Sequence, residues 1–362
     1  MESECFSRAL CHKAVMMRAA VYERFQEPIS VQHVDMPTPR PDSAVIRVEA
    51  CGICRSDWHG WMGHDSDVRL PHVPGHELAG IVAEVGAEVR SWQPGARITV
   101  PFCCGCGTCA QCAAGHHQIC DNYTQPGFTH WGAFAEFVEI RHADVNLVPL
   151  PENVDSVTAA SLGCRFATSF RGVVQQGRVT KEDVVAVFGC GGVGLSAVMI
   201  AKSLKARVVA IDLLDSHLQK AIECGADHTV NAGQVDDVVA AVTELTAGGA
   251  TVSLDAFGSR RTCYQSIACL RKRGRHVQIG LTLGKDADPA IPMSAVVAKE
   301  LEIVGSHGMA AFDYRAMMRL VQDGILQPQQ LITERVSLQQ ACQRLMNMNS
   351  FSSTGVVVID RF

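Results

Sequence analysis

Hydrophobic and polar positions follow three different patterns along this 362-residue chain. From about residue 17 to 150, short β-rich stretches occur at 43–50 (SAVIRVEA), 96–101 and 134–140, separated by turns that contain Gly and Pro. They predict a compact all-β domain with long loops. After Asp155 the pattern changes to a continuous apolar run at 184–188, with a strand-like signal repeated at 207–211, 251–256, 275–279 and 301–304. Helical patterns lie between them, including 265–272 and a helix that ends at Gly225. Strands apolar on both faces that alternate with helices predict an α/β, doubly wound parallel sheet covered on both sides. The remainder, 309–362, carries helical patterns at 313–322 and 338–346 and a closing strand at 355–360. It is too short for a domain of its own and is expected to return to the first one.

Composition narrows the function. With 47% hydrophobic and 19% charged residues the chain is not disordered, and its length suits two domains. Lys and Arg number 32 against 37 Asp and Glu, a net charge of −5, which argues against nucleic acid or an anionic membrane as partner. The uncharged stretch 184–201 is interrupted by glycines and makes a poor membrane span. Residues 1–16 contain Glu2 and Glu4 and no long apolar run, and Met16 and Met17 precede the first strand-like segment. These residues therefore read as an N-terminal extension or an upstream start, not a secretion signal. Sixteen cysteines in a long chain without such a signal point to bound metal and buried thiols in a cytoplasmic protein.

Gly189, Cys190, Gly191, Gly192, Val193 and Gly194 fit G-x-G-x-x-G, placed between a strand and a helix, and Asp212 ends the next strand. Glycines at this spacing let the backbone approach a pyrophosphate seated on the helix N-terminus. Asp212 would accept hydrogen bonds from both adenosine ribose hydroxyls and repel a 2′-phosphate. Leu213 and Leu214 beside it offer no cation, so the expected cofactor is NAD, not NADP.

Cys106, Cys109, Cys112 and Cys120 form C-x2-C-x2-C-x7-C, a spacing that wraps one tetrahedral zinc with no open position. No Lys or Arg occurs between Arg97 and Arg141, so this loop reads as a structural brace, not a nucleic-acid ribbon. Cys54 in CGICRSDWH, His76 in PGHE and Cys164 in LGCRFATSF are each ambiguous alone. Together, two thiolates and one imidazole would hold a zinc with one position open to substrate.

CGICRSDWH, PGHELAG, the four-cysteine loop, GCRFAT and GCGGVG occur in the order found in zinc-dependent alcohol dehydrogenases of the medium-chain dehydrogenase/reductase superfamily, which this chain resembles from about Met17 onward. The resemblance implies a GroES-like catalytic domain (17–166, completed by 309–362) and a Rossmann domain (167–308). It implies two zinc ions, with Cys54, His76 and Cys164 holding the catalytic one. Asp57 would orient the His76 ring. Glu77 would either approach the metal or form a buried salt bridge. Ser56 and His59 resemble a relay that carries the substrate proton to solvent. Arg55 would meet the cofactor pyrophosphate, Thr168 would lie beneath the nicotinamide, and Gly280 and Leu281 would also touch the cofactor. Many relatives place another Arg in the last strand, where this chain has Val356 to Val358, and Arg165 replaces a common Gly without an evident role. Trp58, Phe102 and Trp131 are candidates for an apolar substrate pocket. The implied activity is reversible oxidation of a primary or simple secondary alcohol to an aldehyde or ketone. The alternatives are a polyol or amino-alcohol dehydrogenase, or a non-enzymatic NAD- and zinc-binding protein. A homotetramer is expected ahead of a homodimer.

Overall fold

The computed structural model describes residues 15–348 and 355–362. Of the extension expected over residues 1–16, positions 1–14 therefore lie outside the described residues, and Met16 already opens a strand. That strand, β1 (Met16–Val21), pairs antiparallel with β2 (Ser30–Asp35). The first large sheet is built from β3 (Ala44–Ile53), β4 (Glu77–Val85), β5 (Arg97–Thr99), β6 (Phe137–Ile140) and β7 (Val148–Pro149). The second contains β8 (Val184–Phe188), β9 (Arg207–Asp212), β10 (His228–Asn231), β11 (Ala250–Asp255), β12 (Leu270–Gln278) and β13 (Glu302–Gly305). The chain then supplies β14 (Ile332–Ser337) and β15 (Val356–Arg361), and β15 pairs antiparallel with β3.

The second sheet runs β10-β9-β8-β11-β12-β13, every pair parallel, as a doubly wound Rossmann sheet requires. Every residue of β8 and β11 is buried, because helices cover both faces. One apolar cluster joins Ala50, Ala79 and Val148 of the first sheet, by way of the helical residues Phe166 and Leu195, to Val187 and Leu254 of the second, so the two layers share a core. Among the described residues, no helix is long and apolar enough to cross a membrane.

Several elements differ from the sequence reading. The helix expected at 265–272 lies at Arg260–Ala268, started by a Ser259/Thr262 capping box, and Leu270 already belongs to β12. Leu270 is fully buried beside Ala250, so tertiary burial claimed the end of the apparent helix for the sheet. The strand-like segment expected after Met17 is β1, whereas β2, β4, β7, β10 and β14 have no counterpart among the predicted strands. The helix at Leu338–Met346 falls where expected, with Ser337 and Gln340 forming its capping box.

Candidate active site

Helix α1 (Arg55–Trp61) leaves the end of β3 with Cys54 as its N-cap. Asp57 fixes this start: its Oδ2 accepts the Cys54 backbone N–H at 2.9 Å. Its Oδ1 accepts the Gly75 N–H at 3.0 Å and lies 2.8 Å from His76 Nδ1. One carboxylate therefore ties together the two segments that carry Cys54 and His76, and all three side chains are buried. With Nδ1 held by Asp57, the imidazole turns its Nε2 toward Cys54. That Nε2 is buried with no hydrogen-bond partner among the described residues.

Cys164 completes the group from the other direction. It lies in a π-turn, Leu162–Phe166, inside the helical segment 156–176. The possible ligand atoms of Cys54, His76, Glu77 and Cys164 all lie within 4.8 Å of one another. Hydrogen bonding with Cys164 drives the Cys54 thiol well below its ordinary pKa against the cost of burial, with help from Arg165 and His76. Two sulfurs, one already inclined to ionise, and an orphaned imidazole nitrogen make a donor set that suits zinc.

Glu77 resolves toward the salt bridge. Its Oε1 accepts the Arg165 backbone N–H at 3.1 Å and Nε–H at 3.0 Å, and its Oε2 accepts Nη2. Burial raises the Glu77 carboxyl, and Arg165 opposes that shift. Arg165, the residue without an evident role in the sequence, is thus the counter-ion of a fully buried acid. Truncating Arg165→Leu leaves that acid unpaired and is expected to cost about 3–5 kcal/mol of stability, read as a fall of several degrees in Tm, with R165K recovering part. An unchanged Tm in R165L would contradict this account of the pair.

The glycine loop joins β8 to helix α2 (Gly192–Ser203). Gly189 has φ +88°, and a Cβ on Gly194 would sit 1.7 Å from the Gly189 carbonyl oxygen, so no side chain fits at either position. The loop opens on a cleft of about 430 Å³ lined by Gly189, Gly191, Gly192 and Asp212 together with Arg55 and Arg165, the latter beside Gly192. The Arg55 guanidinium stacks 3.9 Å over Trp58. Asp212 accepts the Cys190 N–H at 2.7 Å and the N–H groups of Leu213 and Leu214 at 2.8 and 3.0 Å. Burial alone would raise its carboxyl, but hydrogen bonds from His217, Cys190 and Leu214 hold it below the usual carboxylate range. The cleft also contains Arg261 and His217, so the absence of a cation beside Asp212 holds only for its sequence neighbours. Sequence reasoning missed both because they arrive from other elements.

Val193 and Gly194 continue into α2, and the Val193 carbonyl lies 2.7 Å from the Ser169 hydroxyl on segment 156–176. Thr168, Gly280 and Leu281 do not line the cleft: Thr168 is buried on segment 156–176, and Gly280 and Leu281 pack against the Phe257–Gly258 turn.

Around His76, Phe102 and Phe128 stand edge-on at 6.2 and 5.4 Å, and Phe102 also meets His307 at 5.3 Å. Phe128 and His307 carried no sequence signal. Trp131 does not join them, because its indole N–H is committed to the Pro71 carbonyl at 2.9 Å. Trp58 packs against Arg55, His59 and His64. The Ser56 hydroxyl lies 3.8 Å from the Cys54 sulfur.

Cys106, Cys109, Cys112 and Cys120 form a second group with sulfurs within 4.8 Å of one another. Backbone N–H groups aim at these sulfurs: Cys109 at Cys106 (3.4 Å), Cys112 at Cys109 (3.4 Å), and Cys106 and Asn122 at Cys120 (3.2 Å each). The Thr108 hydroxyl and N–H draw the Cys106 thiol down to about 5. Cys103 and Cys104 are buried outside this group.

Comparison with known proteins agrees with this layout. Residues 40–152 match the alcohol dehydrogenase GroES-like domain, and 192–323 match the zinc-binding dehydrogenase family. An NAD-dependent alcohol dehydrogenase of Saccharolobus solfataricus is 30% identical over 95% of this chain and 99% of its own length. The structure of alcohol dehydrogenase TADH from Thermus sp. ATN1 superposes with a TM-score of 0.88 at 30% identity, covering 96% of this chain and 100% of that one. A zinc-binding dehydrogenase from Sinorhizobium meliloti 1021, solved bound to NADP, gives 0.86 at 32% identity, covering 96% and 99%. With both domains matched and a relative 30% identical over nearly the whole of both chains, the chain belongs to the zinc-dependent alcohol dehydrogenases of the medium-chain dehydrogenase/reductase superfamily.

Proposed function

We propose that this protein oxidises primary or simple secondary alcohols reversibly with NAD, using a catalytic zinc held by Cys54, His76 and Cys164. The observation that carries this reading is the buried, partnerless Nε2 of His76 facing two thiols. Bound there, zinc supplies the Lewis acidity that makes an alcohol hydroxyl a far stronger acid, while NAD supplies the hydride acceptor.

The chain's own residues do the rest. Asp57 keeps His76 in the tautomer whose Nε2 can ligate. Phe102 and Phe128 wall the site with apolar surface, which favours a simple alcohol over a charged substrate. Ser56, beside Cys54, takes the substrate proton and His59 moves it outward. Gly189, Gly191 and Gly192 admit the pyrophosphate to the N-terminus of α2, where Arg55 supplies charge while the Arg165 guanidinium stays paired with Glu77. Asp212 receives the ribose hydroxyls. A second zinc, on Cys106, Cys109, Cys112 and Cys120, braces the loop.

Self-association completes the reading, as a homotetramer ahead of a homodimer. It is supported by the open edge of β13 and the exposed Met293, Val297 and Ile303 near it. Every described cysteine is a free thiol, which fits a cytoplasmic location.

The test is initial-rate reduction of NAD and NADP by the zinc-replete protein across aliphatic, benzylic and polyol alcohols. Turnover of aliphatic or benzylic alcohols with NAD is expected, and silence across the panel would refute the reading. In the same assay Asp212→Asn should lower the NAD-over-NADP preference by about tenfold, since it removes the charge that opposes a 2′-phosphate. An unchanged ratio would remove Asp212 from that role.

A further inference from the structure

His59 is not the last imidazole on the way out. Nδ1 of the exposed His64 lies 2.9 Å from Nδ1 of His59, with the rings 5.2 Å apart and tilted by 44°. Two such nitrogens meet at that distance when one carries a hydrogen and the other presents its lone pair, so the pair shares a single proton. The backbone enforces the meeting: the His64 N–H donates to the His59 carbonyl at 3.0 Å, folding the chain back over the end of α1. The edge of Trp58 supports both rings, at 5.0 and 5.7 Å. Ser56 and His59 are three residues apart on α1 and so share a face of the helix. The charged and titratable groups that act on His59 are Arg55, His64 and Cys54. Burial, then Arg55 and His64, press it down to about 4, so at neutral pH it is free to accept a proton and quick to give it up.

We propose that His64 is the outer member of a two-imidazole relay, a positioning and relay residue that acts through His59 to deliver the substrate's hydroxyl proton to water. The step balances as follows. His59 Nε2 gains the incoming proton, the hydrogen on His59 Nδ1 crosses to His64 Nδ1, and His64 Nε2 releases its own hydrogen to water. One proton enters and one leaves, no electrons move, and both rings end neutral. Proton exchange with water returns them to their starting tautomers before the next turnover. His64 is suited to the outer position because it is exposed while His59 is half-buried.

This inference rests on the alcohol dehydrogenase reading, and the test separates the two. Zinc-replete enzyme with NAD is mixed rapidly with an alcohol it turns over, in weak buffer with a pH-indicator dye. NADH absorbance reports hydride transfer and the dye reports proton release. His64→Ala should slow proton release by about tenfold with NADH affinity and Tm unchanged, and free imidazole in the buffer should restore the rate. His64→Asn, which keeps a hydrogen-bonding side chain that cannot take a proton, should remain slow. Release as fast in H64A as in the wild type would overturn the relay, as would a slow variant that imidazole does not rescue. Neither NADH nor protons from the wild type would instead sink the dehydrogenase reading, and the relay with it. A readout without cofactor is available too: nitrogen NMR of the uniformly labelled protein should reveal coupling across the Nδ1–H···Nδ1 bond, lost in H64N. Its absence in the wild type would also overturn the relay.

Discussion

Replacing Cys54 with alanine is expected to cut alcohol oxidation by about 10³-fold or more while leaving the affinity for ADP-ribose within about twofold. The asymmetry follows from where the residue stands. Cys54 offers its sulfur to the group formed with His76 and Cys164, but its side chain does not line the cleft that opens on the glycine loop. Its backbone N–H, held by Asp57, survives the substitution, so α1 should still start in place. With Cys54 as one of the three zinc ligands we propose, its loss would remove the several kcal/mol of charge stabilisation that a Lewis acid supplies, without touching the dinucleotide. Metal analysis should record one zinc fewer per chain, and calorimetry with ADP-ribose reads the retained affinity. Activity near wild type in a protein lacking that zinc would end the mechanism.

Cys109→Ser should act on the opposite property. The four-cysteine segment has almost no apolar core of its own: among the described residues, Tyr123 is the one hydrophobic side chain beyond the cysteines in their cluster. Asn146 clamps Gly105 from outside, donating to its carbonyl and accepting its N–H at 2.9 Å each, but nothing comparable holds the middle of the loop. A structural zinc carries folding free energy of its own, so its loss should lower Tm by about 10 °C or more, with kcat of the remaining folded protein within about twofold at moderate temperature. Scanning calorimetry and zinc content decide the matter. A Tm equal to the wild type's would mean that the four thiols do not brace the loop with metal.

What could be foreseen was whatever short-range chemistry dictates. Fully apolar runs such as 184–188 become buried parallel strands because helices cover both of their faces, and the helical pattern at 338–346 is carried by neighbouring residues alone. Cys54, His76 and Cys164, spread over 110 residues and each ambiguous alone, could be gathered only because the motifs around them occur in the order found in zinc-dependent alcohol dehydrogenases. Arg165 could not be explained, since its partner Glu77 lies 88 positions earlier and only the packing of the π-turn against β4 unites them. Arg261 and His217 entered the cleft for the same reason. At 265–272 the local signal failed: helix and strand compete for an apolar residue such as Leu270, and the neighbouring strand decides. Aromatic residues were the least legible, because a Trp reads the same in sequence whether it faces a pocket or, like Trp131, a backbone carbonyl.

Segment 156–176 has a practical consequence for protein engineering. It carries Cys164 toward the first sheet's Cys54 and His76, yet Ser169 docks it on the Val193 carbonyl of the nucleotide-binding half. A chimera that transplants only the six-stranded sheet would therefore inherit a foreign seam, with one sulfur donor keyed to a glycine loop it no longer meets. The exchangeable module begins before residue 156, and grafts cut at the glycine loop should inherit nucleotide preference but lose metal loading.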